Sequence, residues 1–116
     1  MKLMTELSQF VGTTQYYKFS ALTKMVLTDG TKYLAEEAGC YWLFDIVASY
    51  QCEKKVKGEE FQVWNLKVNK DNSAVVTCED GNDNEIVKQL IPYTDFPLKE
   101  MKLFFQNNVC FLPSEY

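Results

Sequence analysis

The stretch from residue 28 to 51, TDGTKYLAEEAGCYWLFDIVASYQ, limits the fold more than any other part of the chain. It opens with Thr28, Asp29 and Gly30, short residues whose oxygens can take up the first free N–H groups of a helix. Between Cys40 and Ala48 the only charge is Asp45, so a helix there carries apolar atoms on every side and has to be covered by several neighbours. Helices over 30–38 and from 40 to about 53 are expected, with Gly39 as a break or a close helix contact. The rest of the chain should pack on them.

Before this spine, residues 4–11 read as a short helix, and QYYKF (15–19) with KMVLT (24–28) as a small hairpin. After it the pattern turns to alternation. FQVWNLKVN (61–69) puts Trp64, Leu66 and Val68 on one face and Asn65 and Lys67 on the other. AVVTC (74–78) and EIVKQLI (85–91) follow across Asp71-Asn72 and EDGNDN, which carry turn chemistry. KEMKLFFQ (99–106) and VCFL (109–112) meet at Asn107-Asn108, a turn that sets Leu103 opposite Leu112 and Phe104 opposite Phe111. Pro92 and Pro97 bracket a connection, since neither donates to a central ladder. The expected fold is therefore α+β: a single domain over residues 1–116, its N-terminal helices packed on one face of a four- to five-stranded antiparallel meander.

The chain has no histidine, and all twelve of its basic residues are lysine. It lacks the commonest general base and metal ligand, and also the planar fork that reads phosphate or carboxylate. No nucleotide, hydrolase or phosphate-loop motif occurs. No enzyme activity, cofactor or metal is expected. A formal charge of −4 disfavours broad nucleic-acid binding, and no DNA-specific contact is expected. No apolar run reaches the roughly 20 residues of a membrane span, and residues 1–20 lack a secretory pattern. Cys40, Cys52, Cys78 and Cys110 are scattered, as for thiols of a reducing cytoplasm.

Asp45 stands out, because a carboxylate buried unpaired among apolar residues costs several kcal/mol. Tyr41 and Ser49 lie four residues to either side, so the three are expected to form a structural polar core. The alternative is a raised-pKa acid in a pocket. Candidate partner-binding residues are Tyr50, Lys54, Lys55 and Lys57 at the end of the long helix, and Asp80, Asp83 and Glu85 in the acidic loop. That loop imitates a calcium loop only at first, since glycine is replaced at its sixth position by Glu85 and glutamate at its twelfth by Ile91. As an acidic surface it would meet a basic partner.

Three segments taken together, residues 27–51, YTDFPL (93–98) and NVCFLPSEY (108–116), preceded by QYYKF, resemble a family of small proteins carried by bacterial phages and mobile elements. The resemblance implies an accessory protein of the bacterial cytoplasm that acts by binding a protein. It points to an anti-CRISPR inhibitor of an RNA-guided single-protein effector of the Cas13 or Cas9 type, or of its guide-RNA complex, blocking guide loading or target access. The competing expectation is a homo-oligomeric adaptor, a homodimer for instance, with no defence target. The family supplies no catalytic residues.

Overall fold

A computed structural model describes residues 7, 9–13, 15–20, 23–82 and 84–116. The expected helix over 4–11 and the expected contact residue Asp83 fall wholly or partly outside them.

Helix α1 (Asp29–Glu37) starts where the sequence places its cap. The Thr31 N–H donates to Thr28 Oγ1 at 3.3 Å, while the Thr28 N–H donates to Thr31 Oγ1 at 2.8 Å, a reciprocal capping box with threonine in the usual glutamate position. Gly39 ends the run with a φ of 61°, the left-handed conformation that glycine adopts without strain. Helix α2 (Tyr41–Tyr50) then buries Leu43, Phe44 and Val47, and the single turn α3 (Lys54–Lys57) buries Val56.

The strands are β1 (Tyr17–Lys18), β2 (Val26–Leu27), β3 (Phe61–Val68), β4 (Ala74–Glu79), β5 (Glu85–Ile91), β6 (Glu100–Gln106) and β7 (Val109–Phe111). They form one seven-stranded sheet in the order β1-β2-β7-β6-β3-β4-β5. This corrects the expected four- to five-stranded antiparallel meander with helices ahead of it, for two physical reasons. The β1–β2 hairpin does not stand apart. Val26 pairs with Val109 and Leu27 with Cys110 in parallel, so two short strands that precede α1 extend the sheet and make it mixed. Nor does β6 follow β5 across the sheet. It returns to β3, from Phe61 opposite Gln106 to Lys67 opposite Glu100, which gives β6-β3-β4-β5 the order of a Greek key. The 92–99 connection spans the three strand spacings between them, about 14 Å, and it buries Thr94, Phe96 and Leu98 on the way.

The β6–β7 hairpin forms as the sequence suggests. Asn107 and Asn108 both take positive φ (54° and 64°), and Phe104 pairs with Phe111, although β7 stops before Leu112.

One face of the sheet carries Trp64, Leu66, Val76, Cys78, Leu103, Phe105 and Cys110 into a core shared with Leu34, Ala35, Leu43, Phe44 and Val47. Inside that core lies a polar cluster. Gln62, 1% exposed, exchanges two hydrogen bonds with Gln51 (2.8 and 2.9 Å), accepts one from Trp64 Nε1 (2.9 Å) and donates to the Val56 carbonyl (3.0 Å). The expected core of Asp45, Tyr41 and Ser49 is not there, because α2 turns all three outward, where a carboxylate stays hydrated without a partner. Ser49 Oγ donates to the Ile46 carbonyl of its own helix.

Candidate binding face

The opposite face of the sheet is built by the alternate residues of the same strands. Cross-strand pairing sets Lys102, Asn65, Thr77 and Lys88 in one row across β6, β3, β4 and β5. The flanking rows hold Phe104, Val63 and Glu79 on one side, and Glu100, Lys67, Val75 and Leu90 on the other. This face forms a hollow of about 820 Å³, lined by Lys67, Lys88, Lys102, Glu79, Glu85 and Glu100 around Asn65 and Thr77. Asn65 Nδ2 donates to Glu79 Oε1 at 2.7 Å, which fixes one carboxylate on the floor. Where β3 begins, an aromatic group closes the surface. Tyr116 stacks on Phe61 with ring centroids 5.5 Å apart and meets Phe104 edge-on at 5.7 Å.

Such a surface can form ion pairs and hydrogen bonds. Its central row carries one hydroxyl, that of Thr77, between Asn65 and Lys88. The buried thiols are poorly suited to nucleophilic work. Burial pushes Cys40 and Cys78 up to about 12, and raises Cys110 as well, so almost no thiolate exists near neutrality. Among the described residues no group of three or more acidic or sulfur ligands is placed to hold a metal ion.

The residues singled out from the sequence scatter. Glu85 lines the hollow. Asp80 serves its own loop, accepting from the N–H groups of Asn82 and Asn84 and from Asn84 Nδ2, contacts that hold its carboxyl below the ordinary range. Tyr50 is half-buried, its hydroxyl donating to Gln89 Oε1 at 2.9 Å and its ring 5.8 Å from that of Trp64. Lys54, Lys55 and Lys57 are exposed on α3, which packs against β5, the strand that Glu85 opens. Lys88, Lys102 and Thr77 were not singled out. Their signal was the polar half of the strand alternation, which identifies an open face but not which strands share it.

These features define a small α+β protein in which one face of the sheet is open and carries charges of both signs. The chain belongs to the family of unknown function DUF6876, whose model matches residues 1–116. No curated protein and no solved structure matches it. Among the described residues no helix is long and apolar enough to cross a membrane.

Proposed function

We propose that the chain is a non-catalytic binding protein that occupies a surface of a protein partner through the open face of its sheet. The observation that carries this is the interleaving of Lys67, Lys88 and Lys102 with Glu79, Glu85 and Glu100 around the hollow. A nucleic acid presents one sign of charge and gains little from such a face, whereas a protein can match both signs and fix a register. Reversing Lys88 and Lys102 to glutamate should abolish capture of the partner in affinity purification while the fold persists. Undiminished capture moves the interface elsewhere.

The narrower reading is an accessory protein of a phage or mobile element in the bacterial cytoplasm, inhibiting an RNA-guided effector by blocking guide loading or target access. It is supported by the resemblance of residues 27–51, 93–98 and 108–116, and not by the geometry. Its expression in a host with active interference should restore phage or plasmid survival. Mass spectrometry and RNA sequencing of the purified complex should find one effector, with or without its guide. Unrestored survival and no effector would retire it.

A second reading, the homo-oligomeric adaptor, draws on β5, an edge strand on which Leu90 is 74% exposed. An open edge with an apolar residue can pair with the same edge of another copy. Light scattering decides this one: a monomer across the micromolar range excludes it.

A further inference from the structure

The stripe of α2 opposite its buried face mixes exposed polar residues with half-buried apolar ones. Trp42, Asp45, Ile46 and Ser49 follow the i, i+3, i+4, i+7 spacing, opposite the buried Leu43, Phe44 and Val47. Asp45 and Ser49 are exposed, whereas Trp42 and Ile46 are half-buried against the core and stand beside the end of β5 and the connection that follows. Together with Ile91, Tyr93, Thr94 and Asp95 they line a cleft of about 480 Å³. Tyr93, 68% exposed, forms one wall. Thr94 is buried, and its hydroxyl accepts from the Phe96 N–H at 3.1 Å, which shapes the backbone of the connection. Two aromatic rings, two isoleucines and the Asp95 carboxylate remain. Asp45 lies on the same stripe as Trp42 and Ile46, and no lysine is among the described residues lining the cleft.

This combination fits an arginine side chain. An arginine lays its methylene stem on aliphatic surface, stacks its guanidinium on aromatic faces and pairs with a carboxylate through two parallel N–H bonds. We infer that the Trp42–Tyr93 cleft is an anchoring site for an arginine of a partner protein, with Asp95 as its counter-ion. The chain has no arginine of its own, so another copy cannot supply that side chain. The site thus selects a basic partner segment in which an apolar residue flanks the arginine. This inference rests on the reading of the chain as a binding protein, and not on the open sheet face being the surface used.

The test is a titration of the full chain with acetyl-Leu-Arg-Leu-amide, followed by two-dimensional NMR. Trp42 and Trp64 are the two tryptophans, and only Trp42 lines the cleft, so the two indole N–H signals separate local binding from global effects. The peptide should shift the Trp42 indole and the Ile46, Ile91 and Tyr93 amides saturably, and leave Trp64 unmoved. Replacing arginine by citrulline, which keeps shape and loses charge, should weaken binding about tenfold, the loss expected for a charged pair against a neutral one. Asp95→Asn and Tyr93→Ala, both at exposed positions, should each weaken it while preserving the spectrum of the fold. Equal binding of the citrulline or a lysine peptide overturns the arginine assignment. A silent Trp42 indole at millimolar peptide overturns the site. Because no partner is needed, a failed titration beside intact dependence of capture on Lys88 and Lys102 removes this inference alone.

Discussion

The Gly30 N–H donates to Glu115 Oε2 at 3.1 Å, joining the first turn of α1 to a side chain 85 residues later. The other oxygen of the same carboxylate accepts from Thr28 Oγ1 at 2.6 Å and from the Leu112 N–H at 3.0 Å. Thr31 Oγ1 donates to the Cys110 carbonyl at 2.9 Å, so the helix start is also tied to β7. A carboxylate at a helix N-terminus satisfies free N–H groups and complements the helix dipole. The TDGT and FLPSEY segments are therefore one structural unit.

Gly30 is required by this contact. A Cβ there would lie 2.6 Å from Leu112 Cδ1 and 2.7 Å from Glu115 Oε1, closer than carbon tolerates, and Leu112 is buried. Gly30→Ala should cost about 1–3 kcal/mol in urea unfolding, as for other overpacked sites. Glu115→Ala should cost about 1–2 kcal/mol through the lost cap. In the Glu115→Ala background Gly30→Ala should cost less, by on the order of 1 kcal/mol, because one of the two clashes has gone. Strict additivity would show that the two residues do not interact.

Gln62→Leu keeps volume and removes the hub of the buried amide cluster. Gln51, the Trp64 indole N–H and the Val56 carbonyl would each lose a partner. A loss of about 2–4 kcal/mol is expected, since unsatisfied buried groups bear their full desolvation cost. Chemical unfolding measures it, and a change in Trp64 fluorescence should accompany it. A loss under about 0.5 kcal/mol would mean that water replaces the amide.

Asp45→Asn should leave stability within about 0.5 kcal/mol, the usual range for an exposed position, because α2 turns Asp45 to solvent. Tyr50→Phe should cost about 0.5–1.5 kcal/mol, the worth of one hydrogen bond to Gln89, without weakening partner capture. A thermal melt of each variant tests the structural role of Asp45 and the hydrogen bond of Tyr50, and affinity purification tests Tyr50 as a contact.

Local elements were legible because each is written in neighbouring residues. Thr28-Asp29-Gly30 marks the start of α1, Gly39 its end, and Asn107-Asn108 the last turn. Strand order was not, because the pairing of β6 with β3 and of β2 with β7 is decided by which faces fit across long separations. The misplacement of the polar core has the same origin. A charge in an apolar run shows that something must give, and here the helix rotates Asp45 outward while the neutral Gln51 and Gln62 go inward. Neutral amides raise no alarm in a sequence, yet they can be buried when fully paired. The open face of the sheet was half visible, as Asn65 and Lys67 opposite Trp64 and Leu66. The row from Lys102 to Lys88 exists only once four strands are in order.

The buried thiols predict a pH limit. Burial raises Cys40 and Cys78 from 9.0 to about 12, so the folded chain keeps these protons over a range in which the unfolded chain releases them. The associated stability is fully present below pH 9 and is lost progressively as pH rises toward 12. Between pH 5 and 8 these groups contribute no slope. The urea midpoint should therefore fall above pH 9, and Cys78→Ala should fall less steeply than the parent, although it starts lower because of the cavity it leaves. Comparing slopes instead of midpoints cancels the lysines and tyrosines that titrate in the same range. Equal slopes would place Cys78 in contact with water. In the same window an alkylating reagent should label the exposed Cys52 in the native chain, and reach Cys40, Cys78 and Cys110 only on unfolding.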